Sequence, residues 1–141
     1  MCRRKQEGNF PLVDIDTLCR ECDIISLHVP LSDSTRGMIS RERIESMKPG
    51  AIVINVARGA VTDEQALADA AREGKIYLGV DVYSREPFGE DHPFYAIRTL
   101  DNVCLTPHMA WGSAESRARC VREMAENTRA FFAGEIRNRI V

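Results

Sequence analysis

The chain has 141 residues, 44% of them hydrophobic and 28% charged, with a formal net charge of −2. That length fits one domain over residues 1–141, whose core can bury roughly two thirds of the surface that the unfolded chain exposes. Abundant apolar residues with nearly balanced charge exclude a disordered chain, and 19 basic against 21 acidic residues give no global attraction to nucleic acid. No apolar run approaches the ~20 residues of a membrane span. The opening Met1-Cys2-Arg3-Arg4-Lys5 has no apolar stretch behind its basic residues, unlike a signal peptide. A soluble, cytoplasmic protein without nucleic-acid or membrane partners is expected.

Residues 1–11 read as an irregular segment. A helix is predicted from Asp14 to Cys22, and then Ile24-Ile25-Ser26-Leu27-His28-Val29 reads as a strand, with His28 packed inside it. Ser40 can cap a helix through about Met47, stopped by Pro49-Gly50. Ala51 to Val56 forms the second strand. Thr62-Asp63-Glu64-Gln65 has the pattern of a capping box, opening an Ala-rich helix that Gly74 ends. Tyr77 to Val82 and Val103-Cys104-Leu105 are the third and fourth strands. A long last helix begins near Ser113 and runs to about Ala133, with Val121, Met124, Ala125, Thr128, Phe131 and Phe132 on one stripe that reads as packing surface.

Strands alternating with helices imply an α/β fold with a parallel sheet, and near-continuous apolar strands imply a sheet covered on both faces. Five cysteines without a secretory signal do not suggest a disulfide framework. Cys19 and Cys22 have C-x-x-C spacing, but they close a helix and have no second close pair of ligands, so no metal site is expected.

In open α/β sheets ligands bind beyond the carboxyl ends of the strands. The second strand runs out into Ala57-Arg58-Gly59, the third into Ser84-Arg85-Glu86-Pro87 and the fourth into Thr106-Pro107-His108. One edge therefore receives Arg58, Glu86 and His108. Such a trio joins an imidazole able to exchange a proton, a carboxylate able to orient it, and a guanidinium able to hold another carboxylate through two parallel bonds. Glu86 sits in a charged loop with Arg85, Glu90 and Asp91, for which a solvated face is the alternative reading, and Asp91-His92-Pro93 reads as a turn.

The wording of these segments carries a resemblance. Asn55-Val56-Ala57-Arg58-Gly59-Ala60-Val61-Thr62-Asp63, Gly79-Val80-Asp81-Val82-Tyr83, Glu86-Pro87 and Asn102-Val103-Cys104-Leu105-Thr106-Pro107-His108 resemble the D-2-hydroxyacid dehydrogenase family, as do Asp23 to Leu31 and Met47 to Ala51. His108-Met109-Ala110-Trp111 is similar to the glycerate, hydroxypyruvate and glyoxylate reductase branch, and to the related C-terminal-binding corepressors. The resemblance implies a partial Rossmann-like domain with NAD or NADP as cofactor and a short 2-oxo or 2-hydroxy acid as substrate. It implies that Arg58 binds the substrate carboxylate, that His108 exchanges the proton at the carbonyl oxygen, and that Glu86 tunes His108. Asp81 would contact the nicotinamide carboxamide. Val29, Val56 and Ala57 would line the cofactor pocket, which His108, Ala110 and Trp111 would complete.

The family's G-x-G-x-x-G turn, which offers helix N-terminal N–H groups to the pyrophosphate, has no counterpart in these residues. Nor has the family's separate substrate domain. The chain is thus expected to correspond to the C-terminal part of a dehydrogenase, weakly active or inactive alone. Its sheet is expected to have an open edge that favours a homo-oligomer. Cys2-Arg3-Arg4-Lys5, where the family carries an acidic residue for the ribose, would suit the 2′-phosphate of NADP. A non-catalytic binding or regulatory module is the alternative.

Overall fold

The computed structural model describes residues 11–140. One compact unit runs to His108 and a second begins at Met109. The first unit strings α1 (Ile15–Glu21), β1 (Ile24–Leu27), α2 (Arg41–Ser46), β2 (Ala51–Asn55), α3 (Glu64–Arg72), β3 (Ile76–Val80) and β4 (Val103–Leu105) in chain order, with single 3-10 turns at Gly59–Val61 and Pro93–Ile97. The four strands make one parallel sheet in the order β1-β2-β3-β4. The α/β architecture expected from the sequence is therefore present. The basic run Cys2-Arg3-Arg4-Lys5 and the irregular segment expected over residues 1–11 lie outside the described residues, apart from Pro11.

The helices start and stop for local reasons. Asp14 caps α1 by accepting the Thr17 N–H at 2.8 Å, and Cys22 closes it. The N-cap of α2 is Ser40, but its hydroxyl makes no bond to the helix backbone and serves the Glu42 carboxylate instead. The expected capping box before α3 is not formed. Asp63, not Thr62, is the N-cap and accepts the Ala66 N–H at 2.9 Å. Thr62 is buried and donates its hydroxyl to the Gly59 carbonyl, while Gln65 turns to Asp69. Gly74, at φ +70°, supplies the left-handed residue that ends the helix.

The sheet packs one face only. Ile25, Leu27, Ala51, Val53, Ile76, Leu78 and Val80 are buried and form the core with Ile44, Leu67, Phe94 and Ile97. On the opposite face the register aligns Ile24, Ile52 and Tyr77, which are 60, 36 and 53% exposed. The expectation of a sheet covered on both faces is corrected here. The strands are apolar on both sides, as a doubly covered sheet requires, but the helices of this unit shield only one. His28, expected to be packed in its strand, is exposed on the uncovered side and its Nε2 pairs with Ser26 Oγ at 2.7 Å.

The second unit is α4 (Ala114–Phe132) and its C-terminal extension. Ser113 caps the helix through the Ser116 N–H, and Arg137 folds back onto Glu123 and Glu126 at 2.9 and 2.7 Å. Of the residues of α4 only Ala130 is buried. Val121, Met124, Phe131 and Phe132, read from the sequence as packing surface, are exposed. No helix among the described residues is long and apolar enough to cross a membrane.

These assignments make different demands on neighbouring positions. Asp63→Ala removes the cap of α3 and is expected to cost about 1 kcal/mol in urea denaturation. Gln65→Ala is expected to stay within about 0.5 kcal/mol of the parent, whereas a working capping box would make both changes costly.

Candidate active site

The candidate residues leave the strand ends through turns that are held internally. At the end of β2, the buried Asn55 side chain accepts the Ala57 N–H and donates to the Arg58 carbonyl, both at 3.0 Å. Its own carbonyl accepts the Asp81 N–H from the neighbouring strand end. The next residue along, Gly59, presses against the turn after β3. A Cβ added there would lie 2.1 Å from Ser84 N and from the Tyr83 carbonyl carbon, so only glycine fits.

After β3 the chain folds around the carboxylate of Glu86. The Tyr83 N–H donates to Glu86 Oε1 at 2.9 Å, and His108 Nδ1 lies 2.8 Å from Glu86 Oε2. An ionised carboxylate only accepts hydrogen bonds, so Nδ1 carries the proton of that contact. The His108 bond, then the Tyr83 N–H, hold the Glu86 carboxyl below its usual range, and the positive charge of Arg58 adds to the effect. His108 itself has φ +52°, a left-handed conformation that histidine adopts more readily than most residues.

The strand ends are tied to one another behind this pair. Thr106 donates its hydroxyl to the buried Asp81 carboxylate at 2.6 Å, and its carbonyl accepts the Tyr83 hydroxyl at 2.9 Å. Burial, with Asp81 nearby, pushes the Tyr83 phenol up to about 12, so it remains a donor at neutral pH. A cavity of about 440 Å³ opens over these groups, lined by Tyr83, Glu86, Phe88, Leu105, Thr106 and His108 among others.

The trio expected from the sequence is brought together in part. Glu86 and His108 are hydrogen-bonded. Arg58 is exposed, its Nη1 donates to the Ala57 carbonyl at 2.6 Å, and it reaches Glu86 through its charge. Arg58, Val56, Ala57 and Val29 share a second, open groove between the ends of β1 and β2. Ala110 and Trp111 belong to the second unit, and Trp111 is 64% exposed. Three residues around the turn escaped sequence reasoning. Gly59 has only a local role visible in sequence, Glu64 looks like a helix-capping residue, and His92 looks like a turn. His92 is instead buried, with its ring against Tyr83, Phe88 and Phe94.

Comparison with known proteins decides the family. Residues 2–110 match the family model described as D-isomer specific 2-hydroxyacid dehydrogenase, NAD binding domain. The chain belongs to this family. It is 46% identical over 125 residues to a hydroxypyruvate reductase from Thermotoga maritima, a match covering 86% of this chain and 40% of that enzyme. The fold is similar to an acyclic imino acid reductase solved in complex with NADPH and D-Arg (TM-score 0.83, 34% identity, 98% of this chain and 43% of that one). It is also similar to a D-lactate dehydrogenase with NAD+ from Lactobacillus jensenii (TM-score 0.81, 32% identity, 92% and 42%). The chain thus spans about two fifths of the length of these relatives.

The residues present fit part of a dinucleotide. The groove at the ends of β1 and β2, lined by Val29, Pro30, Leu31, Val56, Ala57 and Arg58 among others, lies at the carboxyl edge of a parallel sheet, where such ligands bind. The buried Asp81 sits at the end of β3, one strand further along.

Gly59→Ala is expected to destabilise the chain by at least ~3 kcal/mol, because backbone rather than a flexible side chain must give way. Glu86 titrates lower in the folded chain than in the unfolded one. Its pairing therefore stabilises fully above the unfolded value of ~4.3 and is lost as pH falls through the folded value. Glu86→Gln is expected to flatten that part of the acid limb in urea denaturation by less than about 1 kcal/mol, since the pair is over a third exposed.

Proposed function

We propose that these residues form the proton-exchanging half of a nicotinamide-dependent reductase acting on a short 2-oxo acid, with the D-2-hydroxy acid as product. The hydrogen-bonded Glu86–His108 pair on adjacent strand ends, with the Arg58 charge felt at Glu86, carries this reading. Arg58 binds the substrate carboxylate through parallel N–H bonds. His108 holds a proton on Nε2 and gives it to the carbonyl oxygen. The Glu86 carboxylate, bound to Nδ1–H, stabilises the imidazolium before transfer and keeps the ring in the tautomer that accepts the proton back in the oxidative direction. When bound, the nicotinamide cofactor, NAD or NADP, supplies or takes up the hydride. Val29, Val56, Ala57 and Arg58 would line its groove, with Asp81 and His108 at the neighbouring strand ends.

Substrates of the glyoxylate and hydroxypyruvate type fit a site whose groups address only a carboxylate and an adjacent carbonyl. A cytoplasmic location and a homo-oligomer belong to the same proposal; the uncovered sheet face supports the second.

The 141 residues alone are expected to turn over hydroxypyruvate with NADPH weakly or not at all, because no glycine-rich turn anchors the pyrophosphate. Cofactor binding is tested separately by Trp111 fluorescence. Saturable quenching by NADH or NADPH below millimolar concentration is expected. Silence up to millimolar cofactor would favour a non-catalytic binding or regulatory module, and robust turnover would refute the expected inactivity.

A further inference from the structure

Behind the Glu86 turn lies a second carboxylate–imidazole contact that the reaction described above does not use. Glu64 is the first residue of α3, yet its side chain is 10% exposed rather than solvated. Its Oε1 accepts the Ser84 N–H at 2.8 Å, and its Oε2 accepts the Ser84 hydroxyl and meets His92 Nε2 at 3.2 Å. The His92 side chain is 5% exposed. Its Nδ1 accepts the Phe94 N–H at 3.2 Å, which leaves the ring proton on Nε2 as a donor to Glu64. A buried carboxylate is tolerated only when donors satisfy it, and three donors converge on this one.

What these donors belong to gives the contact its meaning. Ser84 follows Tyr83, whose N–H holds Glu86, and stands two residues before Glu86 itself. The His92 ring lies 5.1 Å from Phe88, on the far side of the same turn, and edge-on to Tyr83 at 5.8 Å. Glu64 therefore fixes the orientation of the peptide unit entering Ser84, and His92 supports both the carboxylate and the turn's exit. Gly59 closes the turn from a third side. The 83–88 segment lacks regular secondary structure, so these contacts, rather than a helix or sheet ladder, set its geometry.

We propose that Glu64 and His92 are positioning residues: a buried brace that holds the Tyr83–Phe88 turn so that the Glu86 carboxylate stays against His108. The inference rests on the reading of Glu86 and His108 as the proton-exchanging pair, which it deepens. The brace touches neither substrate nor cofactor; it acts through Glu86.

The test is a carbon-detected NMR titration of the Glu86 carboxyl in the full chain labelled at glutamate. In the parent protein the Glu86 midpoint is expected below ~4.3, and to rise when His108 is replaced by alanine. Glu64→Gln keeps one acceptor for Ser84 N–H but sets an amide NH2 against the His92 Nε2–H, so two donors face each other. With the spectrum still dispersed, its Glu86 midpoint is expected to return at least halfway to ~4.3. His92→Gln, which can still donate to Glu64, is expected to restore most of the depression.

A lower melting temperature with an unmoved Glu86 midpoint in Glu64→Gln would make the contact merely structural and overturn the brace. Should Glu64→Gln fail to fold, Ser84→Ala, at an exposed position, decides by the same readout: a smaller rise supports the brace and no rise overturns it. An ordinary Glu86 midpoint in the parent, insensitive to His108, would instead overturn the pair and the brace with it. The two failures are therefore distinguishable.

Discussion

A carboxylate can accept hydrogen bonds but cannot donate them, and this simple asymmetry governs the edge of the sheet. With Glu86 Oε2 2.8 Å from His108 Nδ1, the imidazole must present its proton there, which fixes its neutral tautomer. Everything nearby serves that contact. The Tyr83 N–H holds the second Glu86 oxygen, Tyr83 and Thr106 lock the ends of β3 and β4 together, and Asn55 shapes the exit of β2. Parallel strands in sequential order supply the scaffold: each crossover returns the chain to the same side, so residues far apart in sequence leave the sheet on one rim.

Much of this rim was legible in the sequence because strand periodicity and strand ends are local signals. The runs beginning at Ile24, Ala51, Tyr77 and Val103 indicated which residues would follow each strand, and so put Arg58, Glu86 and His108 at one expected edge. Capping was less legible. Thr62, Asp63, Glu64 and Gln65 contain two possible cap residues, and only the tertiary demand on Thr62 from Gly59 and on Glu64 from Ser84 leaves Asp63 as the cap. His92 and His28 exchanged roles for a related reason. A histidine in an apolar strand looks buried and one before proline looks like a turn, but which face a residue occupies depends on whether a second layer covers it.

The exposed face of the sheet and the exposed stripe of α4 carry apolar side chains whose composition matches buried surface. Membership of the dehydrogenase family gives this a frame, since the chain spans about two fifths of the length of its relatives. The Glu86–His108 pair lies within one unit and is closed by that unit's own hydrogen bonds, whereas the groove at the ends of β1 and β2 is open.

The direction of the proton between His108 and Glu86 can be read without substrate or cofactor. Long-range proton–nitrogen correlation spectra of the three histidines at a pH where His108 is neutral report which ring nitrogen is protonated. An Nδ1–H tautomer is expected for His108, to be lost on Glu86→Gln or Glu86→Ala. An Nε2–H tautomer in the parent chain, unchanged by those substitutions, would contradict it.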